Sequence, residues 1–143
     1  MKQTTIGING FGRIGRTLFK LLSQQPHLKV VAINDLADAR TLAHLLKYDS
    51  IHGPFPSEVS HTEGHILVDG EKVALLNHRS PKEIPWSDHG VDIVVEASGK
   101  FKDSATLESH LHNGAKKVIL SVPPLEDQIK MVVYGINHEI LDK

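Results

Sequence analysis

An α/β fold with a doubly wound, mostly parallel sheet is what this chain predicts, on three observations. Gly10, Gly12 and Gly15 have the Gly-x-Gly-x-x-Gly spacing, set between a β-branched apolar run and a helical pattern. A carboxylate, Asp35, closes the next apolar run about 20 residues beyond the last glycine. Beyond it, apolar runs and helical stretches keep alternating, as repeated βαβ units require. Together they point to the Rossmann type of sheet, with a small β-hairpin insertion.

Each element follows from local chemistry. Thr4-Thr5-Ile6-Gly7-Ile8 is β-branched and apolar and suits a strand buried on both faces. Gly10 permits the tight turn out of that strand, and Gly12 lets backbone amides approach an anion without a Cβ in the way. Ile14, Leu18, Leu21 and Leu22 then recur at i, i+4, i+7 and i+8, predicting one buried helical face. Gly15 would let that helix pack closely on the sheet, and Pro26 ends it. Residues 28–35 are a second strand with Asp35 at its end, and residues 39–46 a short helix capped by Asp38. Residues 48–64, rich in Gly, Pro, Ser and His, read as a loop. Residues 65–76 read as a hairpin turning at Asp69-Gly70. Residues 91–96 form a buried parallel strand, bounded by Gly90 and by Ser98-Gly99. Asp103 begins a helix that stops at Gly114, residues 117–121 are the next strand, and residues 130–135 another. Without repeats, low-complexity tracts or long linkers, residues 1–143 read as one domain.

Composition narrows the classes of function. Sixteen basic and 17 acidic residues leave a net charge of −1, which provides no electrostatic footprint for nucleic acid or an anionic membrane. No apolar run approaches the roughly 20 residues that cross a bilayer. Lys2 leads into a mixed strand rather than a signal peptide, so the expected compartment is the cytoplasm. The 143 residues contain no cysteine, which removes disulfides, thiolate metal sites and a cysteine nucleophile from this stretch of chain.

In a sheet of this kind ligands sit beyond the carboxyl ends of the strands. Asn9 and Gly10, Asn34 and Asp35, Ser98 and Gly99, and Ser121 occupy those ends, and the expectation is that they converge on one crevice. The helix opening after Gly12 directs unpaired amides and a partial positive charge at a pyrophosphate. Asp35 would accept from the adenosine ribose hydroxyls. A 2′-phosphate there would face a carboxylate, and no basic residue follows within the next four positions. The expected cofactor is therefore NAD rather than NADP.

A specific resemblance is carried by six blocks in order. They are Ile8-Asn9-Gly10-Phe11-Gly12-Arg13-Ile14-Gly15-Arg16, Asn34-Asp35, Tyr48-Asp49-Ser50 with His52-Gly53, Glu96-Ala97-Ser98-Gly99-Lys100-Phe101, Gly114-Ala115-Lys116-Lys117-Val118-Ile119-Leu120-Ser121, and Tyr134-Gly135-Ile136-Asn137-His138. From Thr5 to His138 the chain resembles the amino-terminal half of the phosphorylating glyceraldehyde-3-phosphate dehydrogenases. That resemblance implies that Gly10, Phe11, Gly12, Arg13 and Ile14 wrap the pyrophosphate. It places Asn9 at the end of the strand leading into that loop, Asn34 and Asp35 at the adenosine, and Arg79 near the adenine. Ser98, Gly99 and Phe101 would line the path to the nicotinamide, with Ser121 beside it. Ser98 stands where the family usually has threonine, and Val122-Pro123 where Ala-Pro is common. The first keeps the hydroxyl and the second adds apolar volume.

The resemblance also implies a reaction. In the family a thiolate attacks the aldehyde, a hydride passes to the nicotinamide, and phosphate releases an acyl phosphate. The cysteine and the histidine base belong to the family's other half, so no catalytic residue is assigned here and this chain alone is expected to be inactive. A sister dehydrogenase acting on erythrose 4-phosphate, and a stand-alone NAD-binding or interaction module, are the alternatives. Family members are typically homotetramers, with the loop over residues 48–53 approaching a neighbouring subunit. His44, His61, His65, His78, His89, His110 and His112 are scattered and read as solvated surface residues, and His110 and His112 make a poor metal pair at a spacing of two.

Overall fold

Seven strands join one sheet in the computed structural model, which describes residues 2–141. Met1, Asp142 and Lys143, the outermost residues of the expected domain, lie outside the described residues. In chain order the elements are β1 (Thr4–Asn9), α1 (Arg13–Leu22), β2 (Leu28–Asn34), α2 (Ala39–Lys47), β3 (Val59–Thr62), β4 (His65–Val68), β5 (Glu71–Leu76), β6 (Ile93–Glu96), α3 (Ser104–His112) and β7 (Lys117–Leu120). Short 3-10 turns occupy Pro81–Glu83, Trp86–His89 and His138–Ile140.

The sheet runs β3-β4-β5-β2-β1-β6-β7, and the five strands from β5 to β7 are mutually parallel. The chain builds outward from β1 through β2 to β5, then returns to add β6 and β7 on the other side of β1. Strand order therefore reverses between β1 and β6, the topological switch point of a doubly wound sheet. Both faces carry core. Ile6 and Ile8 join a cluster with Phe19 of α1 and Leu42 and Leu46 of α2. A Cβ on Gly7, pointing the other way, would lie 2.6 Å from Trp86, which belongs to the second cluster with Ala32, Val94 and Ala115.

Several local expectations hold. Asp38 and Asp103 each cap a helix, accepting from the Thr41 and Thr106 amides at 2.8 Å. Asp69 and Gly70 both take positive φ, 51° and 82°, the two-residue hairpin geometry that Asp-Gly favours. Gly114, at φ 114°, passes so close to Ser87 that a Cβ would sit 2.7 Å from its side chain.

Three readings are corrected, and the hairpin, which forms as expected, has a wider role. The segment read as loop over residues 48–64 contains β3, whose Val-Ser-His-Thr sequence has one apolar residue and is held by backbone pairing to β4. The hairpin is an extension of the sheet, because Ala74, Leu75 and Leu76 of β5 pair in parallel with Ala32, Ile33 and Asn34. The buried stripe of α1 runs through Gly15 and Phe19, flanked by Leu18 and Leu22, whereas Ile14 and Leu21 are 56% and 57% exposed. Gly15 sets that rotation, since its missing Cβ would collide with the Gly10 carbonyl oxygen and touch Ile8. Residues 130–135 form no strand. There the Val133 and Gly135 amides donate to Asn137 Oδ1 and His138 Nδ1, at 2.6 and 3.0 Å, and these local bonds replace a ladder.

Candidate functional site

The loop between β1 and α1 is held on several sides. Its Gly10 amide donates to the Asn34 carbonyl at 2.8 Å, and its Phe11 amide donates to Asp35 Oδ2 at 2.8 Å. Arg16 donates to the Phe11 carbonyl at 3.0 Å, and the Phe11 ring is buried against Phe19 in an edge-to-face pair at 5.8 Å. Gly10 adopts φ 94° and approaches the Ser98 backbone so closely that a Cβ would stand 2.6 Å from it.

What this frame leaves open is the amino end of α1. Gly12 is the N-cap, supplies no side-chain cap, and would meet nothing within 4 Å if it carried a Cβ. Gly12, Arg13 and Ile14 are exposed, and no acidic residue stands in the first turn. The first amides of a helix lack intrahelical partners and carry its positive partial charge, so this end suits an anion. The shape and the donors fit a pyrophosphate.

At the end of β2, Asp35 is half-buried and accepts from two backbone amides, Phe11 through Oδ2 and Ala37 through Oδ1 at 2.9 Å. A carboxylate has about four lone-pair positions, so it keeps capacity for two hydroxyls. Asn34 is buried. Its Oδ1 accepts from the His78 amide and its Nδ2 donates to the His78 carbonyl, which anchors the chain just before the exposed Arg79.

The last residues of β2, β1 and β6 are in register, Asn34 beside Asn9 and Asn9 beside Glu96. Their side chains form a buried polar row. Asn34 Nδ2 donates to Asn9 Oδ1 at 2.8 Å, and Asn9 Nδ2 donates to Glu96 Oε2 at 2.7 Å. Ser98 donates to Glu96 Oε1 from both its amide and its hydroxyl, at 3.1 and 2.5 Å. His110 approaches Oε2 at 2.8 Å through Nε2, while Trp86 Nε1 donates to its Nδ1 at 2.9 Å. Burial alone would push the Glu96 carboxyl up, but the bonds from His110, Ser98 and Asn9 outweigh it and hold it below the usual range.

His110 is thus not a solvated residue; it and Glu96 are fully buried. The expectation of a solvated His110 is thereby corrected, and Glu96, which the sequence marks only as part of a matching block, gains a place in the site. The signal available was an acid ending an apolar parallel strand, which needs buried donors, but nothing local says which residues supply them. Ser98 is half-buried, Gly99 turns at φ 73° with open space where a Cβ would be, and Phe101 is half-buried. Ser121 is exposed beside this row, its amide donating to the Glu96 carbonyl at 3.1 Å. The strand-end residues therefore come together at one edge, and the backbone just before the exposed Arg79 is tied to that edge through Asn34. Asn9, Asn34 and the Phe11 ring are buried and support that edge from beneath.

Residues 4–104 match the family model described as glyceraldehyde 3-phosphate dehydrogenase, NAD binding domain. Over 140 residues the chain is 50% identical to glyceraldehyde-3-phosphate dehydrogenase 1 of Bacillus cereus, which covers 98% of this chain and 42% of that protein. It is 45% identical over 141 residues to the glyceraldehyde-3-phosphate dehydrogenase of Mycoplasma pneumoniae, covering 99% of this chain and 42% of the relative. With that of Geobacillus stearothermophilus it shares 47% identity over 137 residues, or 96% and 41% of the two chains. The chain spans about two-fifths of the length of these curated relatives. The matched residues take in the glycine loop, Asn34, Asp35, Arg79 and the turn from Ser98 to Phe101; Ser121 lies beyond them.

Proposed function

Because the chain belongs to the family of the glyceraldehyde 3-phosphate dehydrogenase NAD-binding domain, we propose that NAD lies across the carboxyl ends of β2, β1 and β6 as part of a phosphorylating dehydrogenase. The observation that carries this reading is the uncapped amino end of α1. It stays open at Gly12 while the Phe11 amide beside it is committed to Asp35. Amides of Gly12, Arg13 and Ile14 receive the pyrophosphate, with the Arg13 side chain exposed nearby. Gly10 sets the turn by its positive φ. Asp35 takes the adenosine ribose through its remaining lone pairs, and Arg79 reaches the adenine end. Ser98, Gly99, Phe101 and Ser121 border the nicotinamide half. Asn9, Asn34 and the Phe11 ring act from beneath, by positioning.

Bound NAD supplies a hydride acceptor. The intact protein converts glyceraldehyde 3-phosphate, NAD and phosphate to 1,3-bisphosphoglycerate and NADH, as a cytoplasmic homotetramer. Residues of this chain orient the cofactor; with no cysteine among the 143 they supply no thiolate, and the chain alone does not turn over. No helix among the described residues is long and apolar enough to cross a membrane. Calorimetric titration of the chain with NAD, and separately with NADP, tests the cofactor reading. Saturable binding that favours NAD is the expected result, and a folded sample that binds neither overturns it.

A further inference from the structure

We propose that Glu96 is a positioning residue whose buried carboxylate ties the two glycine turns together and so sets where the nicotinamide half of the cofactor lies. This rests on the cofactor reading above and assigns a role to a fully buried carboxylate that itself borders no part of the cofactor.

The hydrogen bonds around Glu96 have only one consistent direction. His78 bonds both ends of the Asn34 amide through its own amide and carbonyl, so the Asn34 group cannot flip. Asn34 Nδ2 then donates to Asn9 Oδ1, which aims Asn9 Nδ2 at Glu96. From the other side, the Trp86 indole N–H can only donate, which makes His110 Nδ1 an acceptor and leaves the proton on Nε2. His110 Nε2 therefore donates to Glu96 Oε2. The Ser98 amide is a donor by nature, and the Ser98 hydroxyl, which accepts from the Lys100 amide, donates to Oε1. Four donors converge on two oxygens. An ionised carboxylate satisfies all of them; an amide in its place would turn an NH2 toward at least one donor.

Those donors come from both turns. Asn9 immediately precedes Gly10, and Ser98 immediately precedes Gly99. The two segments touch, with Ser98 N and Cα 2.6 Å from where a Gly10 Cβ would stand and the Ala97 amide donating to the Asn9 carbonyl at 2.8 Å. Asn9 and Glu96 are 87 residues apart in the chain. Stability alone is a poor reason for burying this charge, because buried ionised groups are often replaced by apolar ones without loss. Placing two loops against each other needs the directional bonds that an apolar contact lacks.

The test compares NAD with ADP, which shares the adenosine and pyrophosphate but has no nicotinamide, in titrations of the full chain and its Glu96→Gln variant, with circular dichroism to establish folding. The expected result is NAD weakened about tenfold, in line with the loss of a charged hydrogen bond, and ADP changed by less than about twofold. Equal losses for both ligands, or none for either, overturn the proposal. If Glu96→Gln fails to fold, His110→Phe decides. It removes one donor to the carboxylate at a buried ring that borders no part of the cofactor, and it should weaken NAD several-fold while sparing ADP. A folded His110→Phe variant that binds NAD as wild type does overturns the proposal equally. A wild-type chain that binds neither ligand overturns the cofactor reading and this inference together, whereas variants that lose both ligands alike overturn the inference alone.

Discussion

Asp35 does two things at once. Its carboxylate accepts from the Phe11 amide in the glycine loop and from the Ala37 amide, and it keeps lone pairs for the ribose hydroxyls of the proposed cofactor. Removing it should therefore disturb both the adenosine contact and the loop. Hydrogen bonds to a charged group are worth about 1.5–3 kcal/mol, so Asp35→Ala should weaken NAD roughly tenfold to a hundredfold. NADP should lose far less, because the same substitution removes a repulsion. Titration of the variant with both cofactors checks this, and equal losses would remove the role of Asp35 in cofactor choice. Asp35 was legible in the sequence because its position relative to the glycines is set by two short elements. His110 was not: it sits two residues from an exposed His112 on the same helix, and only the fold distinguishes them.

Among the elements, α1 separates pattern from packing. Counting apolar residues at helical spacing selected Ile14 and Leu21 for the core, yet both are exposed and Gly15 is buried. Hydropathy assigns weight to large apolar side chains, whereas the closest approach of helix to loop belongs to the residue with no side chain. Phe19→Ala should therefore cost about 3–5 kcal/mol of stability, as a buried aromatic truncation does, while Ile14→Ala should stay within about 0.5 kcal/mol. Urea denaturation of the two variants measures the difference, and similar losses would mean a differently rotated helix. The caps and the hairpin turn were legible because each is complete within four residues. β3 was not, because its stabilising partner is the backbone of β4 rather than its own side chains.

At the level of the whole molecule, carboxylates that accept hydrogen bonds and ion pairs tie strands, loops and helix ends in place. Lys116, followed by the Thr5 amide and hydroxyl, holds the Asp92 carboxyl well below the ordinary range, joining the start of β7 to β1. The Ile51 and His52 amides do the same for Asp49, which also meets Lys20 of α1. The Thr106 hydroxyl and amide lower Asp103 at the start of α3. Depressed carboxyls stabilise the fold fully above their unfolded value of roughly 4, and that contribution disappears as pH falls through the lower folded values. The urea midpoint should thus be lower at pH 3 than at pH 7. Asp92→Asn should reduce the midpoint at pH 7 and shrink the difference between the two. Equal wild-type midpoints at both pH values would show that these carboxylates do not stabilise the fold.

By itself the sequence determined the features whose causes are close together in the chain. These were the glycine turn and its acid, the alternation of parallel strands and helices, the Asp38 and Asp103 caps, the Asp69-Gly70 turn, and through them the dinucleotide-binding character of the domain. Only the tertiary structure decided which face of α1 is buried, that β3 pairs, that residues 130–135 fold back on Asn137 and His138, and that Glu96 gathers Asn9, Ser98 and His110. The physical reason is range. Turns and caps are bonds between near neighbours and leave a local signature, whereas the carboxylate network joins strand ends as far apart as Asn9 and Glu96, 87 residues along the chain, and exists only once the sheet has set them side by side.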